Sequence, residues 1–486
     1  MVVSVIFVVM KLLTLLSRPE LPLVSRSHRK VLIACLTTVL LAGTLRADTF
    51  VSDLPSLGQK DIRTQTEEAI SGLRYLRFLN RESIATQDPA LTYYLQQSTA
   101  PLLPFFATEQ RPSELMIFGV NNRNFNAFAL PGGLIGVHTG MMDQMTETAE
   151  LQAIIAHELG HLALGHHARL AGARRDAMGM VIASFLLIPL AAQVDASLAA
   201  GVFYGAQGLA MQQQLAFSRS MEEEADRAAV NAMRSSGLPL QGIIDAYESM
   251  ARYQRSQVGT VNSTYPGTHP DVVSRLADLR NRIAEINAPA PQADLSIPLC
   301  WVQTDFSLTV RSTTNACTQY KTRTELERQD QQKFWLDMLA NHPANPYLIY
   351  RANEWLRRHT AADVDQLLRQ RLMEQSRLLT DSWLVALSVL SSELYDHPAD
   401  RERWIRSLYH SAPPNDLAAW AVLSQEFNLA DRRALAFRAE AQSSWIKGEV
   451  ALAVRQLQRA IELTEIASER SAWQPILRRW EALLPG

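Results

Sequence analysis

Two histidines and a glutamate are spaced so that they could assemble a metal site. The segment reads His157-Glu158-Leu159-Gly160-His161. On a helix, a four-residue step turns the chain by about 400°, so the two imidazoles point to one side and can converge on one ion. Glu158 stands beside them, where it can take a proton from metal-bound water. The pattern therefore predicts peptide-bond hydrolysis with one zinc ion per chain.

A third protein ligand is needed, and the residues leave two candidates open. His167 follows His157 by ten residues, as in metzincins, but Leu164 stands where that pattern has a turning glycine. Glu222 is the second candidate, and Asp226 follows it four residues later on the same helical face. Asp226 could orient a ligating histidine through its distal N–H. On charge pattern alone, this acidic run is better interpreted as a solvated helix face.

The histidine pair requires a helix, and the sequence predicts one from about residue 148 to 169. Thr146 or Thr148 can cap its start. His166 and His167 are predicted to cap or line its C-terminal end, where a cationic imidazole is favoured. Apolar side chains recur along it at three- and four-residue spacing, namely Leu151, Ile154, Ile155, Leu159 and Leu162.

Two segments upstream of this helix have strand composition. Residues 114–120 and 130–138 are rich in apolar residues and are flanked by Gly, Pro and Asn. They predict a small antiparallel sheet. The first half of the chain is thus expected to be a mainly helical α+β domain.

Composition divides the chain into two halves. All nine tryptophans fall after residue 300, where only two of the 21 glycines occur. Residues 287–292 read Asn-Ala-Pro-Ala-Pro-Gln, as in a linker. We therefore predict a protease domain at 48–286, a linker at 287–324 and an all-α repeat domain at 325–486.

The predicted repeat domain has a tetratricopeptide-like pattern near its end. Small and apolar residues stand at the offsets where two helices approach closely, namely Gly448, Val450, Ala453, Leu457 and Ala460. Arrays of such helix pairs present a concave surface to other proteins. Binding rather than catalysis is expected of this domain.

Residues 1–47 have the pattern of a signal peptide. Basic residues precede an apolar run, and Ala47 precedes Asp48 at a small-residue cleavage site. The pattern predicts export with removal of the leader. Three alternatives stay open: an uncleaved membrane anchor, a true start at Met10, and acylation of Cys35.

Removal of the leader leaves two cysteines, Cys300 and Cys317. In an exported chain they most simply form one disulfide, and two unrelated buried thiols are the alternative. The whole chain has 47 Lys+Arg against 49 Asp+Glu, a net charge of -2, and no long basic block. Nucleic acid is therefore not expected as a partner.

Taken together, these motifs resemble the gluzincin peptidases related to the HtpX protease and the CaaX prenyl endopeptidase. The resemblance rests on His157–His161, the acidic run 222–226, residues 126–133 with 137–140, and Thr268-His269-Pro270 with Arg275. It is strong over residues 110–285. Order and spacing are most similar to the exported, repeat-bearing branch that is concerned with β-barrel assembly.

The resemblance implies a role for each matched residue. Zinc would bind His157, His161 and Glu222, with Glu158 as general base and Asp226 holding a ligand in place.

It further implies a substrate strand and a latency switch. The segment from Leu130 through Gly133 to Val137 would supply an edge strand to which an extended substrate adds. His269 matches a loop histidine that can occupy the open zinc position. Arg275 matches a family arginine whose role we leave open.

An unusually apolar segment, Met178 to Leu209, is interrupted by Pro189 and Asp195. It predicts a helical hairpin packed over the cleft or lying at a membrane surface, and ordinary core burial is the alternative.

The sequence as a whole predicts a periplasmic zinc endopeptidase whose helical domain selects or positions clients. By resemblance, the clients are unfolded or stalled outer-membrane β-barrel proteins together with their assembly machinery, and the protein also acts as a chaperone. Two alternatives are a non-proteolytic chaperone or adaptor with a latent zinc site, and a protease anchored in the inner membrane.

Overall fold

The structure is a computed structural model. It describes residues 77–80, 85–106, 115–130, 133–167, 169, 219–256, 269, 272–286, 297–306, 308–311, 314–359, 366–395 and 397–484. All of them lie in one compact unit, residues 65–486. The predicted leader 1–47, the apolar segment 178–209 and the linker residues 287–292 lie outside the described residues. None of the described helices is long and apolar enough to span a bilayer.

The sheet has three strands, β1 (Met116–Val120), β2 (Ala127–Leu130) and β3 (Leu134–His138). Their order is β1-β3-β2. β1 pairs with β3 in parallel, and β2 pairs with β3 antiparallel. The sheet is therefore mixed, not antiparallel throughout as predicted. Residues 121–126 connect β1 to β2, which do not pair with each other. β3 follows β2 in the chain and lies between the other two strands.

This order corrects the predicted substrate strand. Val137 lies on β3, which is hydrogen-bonded on both sides, so it is not on an edge. Leu130 is the last residue of β2, the outer strand. Gly133 lies in the turn between them, with a positive φ of 82° that favours glycine. Among the described strands, the free edge beside Leu130 therefore belongs to β2.

The first half of the chain adds helices around the sheet. They are α1 (Pro89–Thr99), α2 (Thr139–Met142), α3 (Thr148–Ala163), α4 (residues 219–235), α5 (Gln241–Ser256) and α6 (Val272–Ala284). A 3-10 helix, Ala100–Phe106, follows α1. The predicted α+β class with a predominantly helical domain is confirmed.

Helix α3 starts where the sequence predicts, and its start is fixed by a buried carboxylate. Glu150 is fully buried and accepts hydrogen bonds from the backbone N–H of Thr146 (2.7 Å) and of Glu147 (3.1 Å). Its other oxygen accepts from the Ser249 hydroxyl on α5 at 2.8 Å. Glu147, not Thr146 or Thr148, is the N-cap residue.

Helix α3 ends earlier than predicted. The continuous helix stops at Ala163, and Gly165 has a positive φ of 63°. A left-handed glycine just beyond the last turn is a common helix terminator. The regular helix is therefore interrupted before His166.

The second half is a succession of helices. They are α7 (Leu299–Asp305), α8 (Asn315–Thr322), α9 (Arg328–Asn341), α10 (Pro346–Arg358), α11 (Gln366–Ser376), α12 (Trp383–Ser391), α13 (Pro398–Ser411), α14 (Leu417–Leu429), α15 (Arg433–Ile446), α16 (Val450–Leu463) and α17 (Ala467–Glu481). A short 3-10 helix, Arg323–Glu325, follows α8. A disulfide joins Cys300 on α7 to Cys317 on α8.

Helices α15 and α16 meet at the residues of the predicted repeat pattern. Ala453, Leu457 and Ala460 are fully buried, and Gly448 turns the chain between the helices with a φ of 82°. This close pair agrees with a tetratricopeptide-like helix pair. One hydrophobic core extends from Ala90 in α1 to Ile446 in α15, so packing continues across the predicted boundary at residue 286.

Candidate metal centre

Four buried side chains from three parts of the chain converge on one point. They are His157 and His161 on α3, Glu222 on α4 and His269 just before α6. Each offers one ligand atom, and these atoms lie within 4.8 Å of one another.

The distances are those of a compact cluster. The Nε2 atoms of His157 and His161 are 3.0 Å apart. Glu222 lies across from both, 3.3 Å from His157 Nε2 and 3.5 Å from His161 Nε2. His269 Nδ1 is 2.9 Å from Glu222 Oε2. The two histidines on α3 thus face a carboxylate, Glu222, that lies 61 residues after His161 in the sequence.

The close crossing of α3 and α4 brings these ligands together. Gly160 lies at the crossing, and a Cβ atom on it would stand only 3.2 Å from the Ala225 backbone. Because neither residue has a large side chain, the helices approach closely enough for Glu222 to reach the histidine pair. Helix α3 also packs against α5.

Glu158 lies buried beside the cluster, and one of its two carboxylate oxygens, Oε1, has no hydrogen-bond partner among the described residues. His269 Nε2 lies 3.6 Å from that oxygen. A buried carboxylate oxygen without a hydrogen bond is costly, which indicates that this oxygen serves a bound group or the reaction. Two imidazoles and a carboxylate, with such an acid beside them, form a donor set that fits zinc.

The surroundings of His157 favour its charged form. Burial disfavours the charged imidazole, but contacts with Asp226 and Glu222 outweigh burial and raise the pKa of His157 to about 9. Burial and the neighbouring charge of His157 hold the pKa of His161 well below its usual value. A cation bound between these groups would therefore displace the proton from His157.

Asp226 lies where the sequence predicts, behind His157. Its Oδ1 atom is 3.0 Å from His157 Nδ1. Arg275 donates to both oxygens of Asp226, at 2.8 and 2.7 Å, and Tyr247 donates to it as well. Arg275 also lies 2.7 Å from Glu222, so it links the two carboxylates. Burial would raise the pKa of Asp226, but Arg275 and His157 hold it well below its usual range.

Three residues besides the predicted ligands, Glu158 and Asp226 contribute to the site. Tyr247 lies on α5 and no motif marks it. Arg275 was noticed without a role, and the structure gives it one between Glu222 and Asp226. His166 was predicted to cap or line the C-terminal end of the helix, and it lies buried there with its Nδ1 atom 2.8 Å from His161 Nδ1. The competing third ligand, His167, is not part of the four-residue cluster.

The fold and the site define the class of the protein. The model of peptidase family M48 matches residues 89–283, which include the three strands and all four clustered residues. Residues 89–283 are thus similar to the metallopeptidase domains of family M48.

Individual relatives are similar over different shares of the chain. The beta-barrel assembly-enhancing protease of Yersinia pestis is 28% identical over 246 residues, 49% of each chain. The protein of that name from Escherichia coli (strain K12) is 26% identical over 280 residues, 55% of each chain. The metalloprotease LoiP of the same strain is 31% identical over 172 residues, 33% of this chain and 60% of LoiP. The chain spans about half the length of the beta-barrel assembly-enhancing proteases that it matches.

Proposed function

We propose that this protein is a zinc-dependent endopeptidase. The convergence of His157, His161 and Glu222 on one buried point, with the buried Glu158 beside it, carries the proposal. A structural metal site has no use for a second carboxylate that is close to the ligands but is not one of them, whereas hydrolysis needs a proton acceptor next to the water.

Each residue then has one task. His157, His161 and Glu222 would hold the zinc ion, which supplies an activated water and polarises the scissile carbonyl when bound. Glu158 accepts the proton of the attacking water and delivers it to the leaving amine nitrogen. Asp226 keeps the His157 ring in place, and burial keeps this exchange away from bulk solvent.

The outer strand β2 is the proposed docking site for an extended substrate. Among the described strands, none pairs with its outer edge near Leu130, and a peptide could add there as a further strand. Recognition through backbone groups would tolerate many side chains. Such tolerance suits an enzyme that degrades unfolded proteins.

We propose that the clients are outer-membrane β-barrel proteins whose assembly has stalled. The similarity to beta-barrel assembly-enhancing proteases supports this proposal. The signal-like sequence 1–47 supports a periplasmic location, where such clients and their assembly machinery are found. The helical second half would select or position clients and could also assist assembly without cutting.

A second candidate function is a chaperone or adaptor whose zinc site is latent. The position of His269 favours it, since this imidazole lies within 2.9 Å of Glu222 and faces Glu158. If it acts as a permanent fourth ligand, no position is left for water. The third candidate, an inner-membrane protease, is tested by the mass of the mature N-terminus, which begins at Asp48 only if the leader is removed.

The test of peptidase activity is the substitution Glu158→Gln. We expect cleavage of an unfolded protein to fall by at least about 100-fold, because the proton acceptor is gone while the metal ligands are intact. Zinc content, measured by atomic absorption, should stay at one per chain. Glu223→Gln is the matched control, since that carboxylate is 60% exposed and points away from the cluster. Undiminished cleavage by the Glu158→Gln protein would falsify this mechanism.

A further inference from the structure

A second buried histidine stands directly behind the ligand His161. The Nδ1 atoms of His161 and His166 are 2.8 Å apart, and the rings meet nearly edge to face at an interplanar angle of 76°. His166 is 3% exposed. The left-handed Gly165 interrupts the helix just before His166, so His166 is not on the regular continuation of α3.

The contact continues away from the cluster to an ion pair. His166 Nε2 is 3.4 Å from Glu224 Oε2 on α4. Arg169 holds the same carboxylate through two N–H groups, at 2.6 and 3.2 Å. The side chains of Arg169 and Glu224 are 33% and 25% exposed, so the chain of contacts leads from a buried ring to the surface.

The positions of the protons along this chain follow from the ligand. His161 points Nε2 into the cluster, so in its neutral, ligating form the proton is on Nδ1. That N–H can only donate to His166 Nδ1, which must then be an unprotonated acceptor. The remaining proton of His166 is therefore on Nε2 and faces Glu224. In this tautomer of His161, both N–H groups meet an acceptor, and the Nε2 lone pair of His161 is available to a metal.

We propose that His166, Glu224 and Arg169 form a positioning arm that fixes the tautomer and orientation of His161 for zinc. The arm is the counterpart of Asp226 and Arg275 behind His157, but it uses a second imidazole as an intermediate. The alternative is that His166 only fills space at the end of α3. The proposal rests on the zinc site proposed above and adds an assignment for three residues outside it.

Two substitutions at His166 separate these alternatives. Phenylalanine keeps the ring and removes both nitrogens, whereas asparagine places an acceptor oxygen where Nδ1 stands and loses part of the volume. We expect His166→Phe to weaken zinc binding about 10- to 100-fold, the usual effect of losing a partner behind a metal ligand. His166→Asn should recover most of the affinity.

The measurement is the zinc dissociation constant of the full chain, obtained by competition with a chromophoric chelator. The melting temperature of each metal-free protein is recorded alongside. If His166 only fills space, the phenylalanine protein binds zinc like the wild type, or the asparagine protein is impaired at least as much as the phenylalanine protein. Either result overturns the proposal. If the wild type itself binds no zinc, the proposed function fails first, and the two failures are thus distinguishable.

A second pair of variants tests the outer end of the arm even if His166 cannot be replaced without unfolding. Glu224→Ala removes the acceptor for His166 and should weaken zinc binding severalfold. Glu223→Ala is the matched control on the same helix, since its side chain is 60% exposed and pairs only loosely with Arg227 at 3.9 Å. Equal zinc affinities for the two alanine variants would contradict the positioning role.

Discussion

His269 lies between the clustered carboxylate Glu222 and the carboxylate of Glu158. Its two ring nitrogens face different acids, with Nδ1 2.9 Å from Glu222 Oε2 and Nε2 3.6 Å from Glu158 Oε1. The same imidazole can thus complete the coordination of a metal and cover the general base. Activity would then require this residue to move away.

Replacing His269 should therefore release activity. We expect His269→Ala to cleave an unfolded substrate severalfold faster than the wild type and to cut itself, because the closed state loses its ligand. Initial rates on a fluorescent unfolded protein and the intact mass after incubation measure the two effects. His410→Ala is the control, since His410 is exposed on α13. An unchanged or lower rate would contradict the latency role.

The three adjacent glutamates show what sequence can and cannot predict about single residues. Successive positions on a helix point about 100° apart, so Glu222, Glu223 and Glu224 cannot face the same way. Their side chains are 4%, 60% and 25% exposed. The inward position of Glu222 was expected from the family resemblance, because the charge pattern alone favours a solvated helix face. The link from Glu224 to His166 could not be predicted, since it depends on the turn after α3.

At the scale of elements, the site depends on how closely α3 and α4 cross. Gly160 should therefore be sensitive to a single added methyl group. Gly160→Ala places a Cβ atom 3.2 Å from the Ala225 backbone and 3.3 Å from Ala228 Cβ. We expect the helices to move apart by a few tenths of an ångström and zinc affinity to fall about tenfold, since misplaced ligands bind less well.

Helix propensity alone predicts that Gly160→Ala stabilises the protein, which is the opposite of the effect expected from crowding at the crossing. Alanine in a helix is favoured over glycine by up to about 1 kcal/mol. If the crossing had room to spare, Gly160→Ala would raise the melting temperature and leave zinc binding unchanged, and that outcome would contradict the argument. Adding Ala228→Gly to the variant removes one of the close contacts and should restore part of the affinity.

The sheet illustrates the limit of local patterns. Strand composition correctly placed β1 and β3, since both are apolar and fully buried. It did not predict that they pair in parallel with each other, because direction and partner depend on the connection through residues 121–126. Helix α3 was more predictable, because its apolar period and the His-x-x-x-His step are properties of one continuous segment.

At the scale of the whole molecule, the two halves of the chain share one interior. The contrast in tryptophan and glycine content correctly indicated a second, all-helical half. Composition could not indicate that the core continues across the boundary, because it carries no information about which surfaces meet. Trp383 on α12, for example, donates to Gln96 on α1 at 3.0 Å.

A buried arginine connects the halves more directly. Arg351 on α10 is 8% exposed and binds both oxygens of Asp88, the N-cap residue of α1, at 3.0 Å each. Its Nε atom lies 2.9 Å from Asp305 at the end of α7. Since Asp305 is itself 5% exposed, loss of the arginine would leave an acid without one of its countercharges in the interior.

Arg351→Ala should therefore weaken both halves together. Breaking a buried ion pair typically costs about 3–5 kcal/mol, and because Asp88 is partly exposed we expect about 3 kcal/mol. Urea unfolding measures this through two reporters: tryptophan fluorescence for the second half, which holds all nine tryptophans, and zinc release for the first. Both midpoints should fall in parallel, whereas Arg358→Ala, at a 70% exposed side chain of the same helix, should move neither. A shift in fluorescence alone would mean that the catalytic half is stable by itself, and the shared core would then contribute little to holding the metal site.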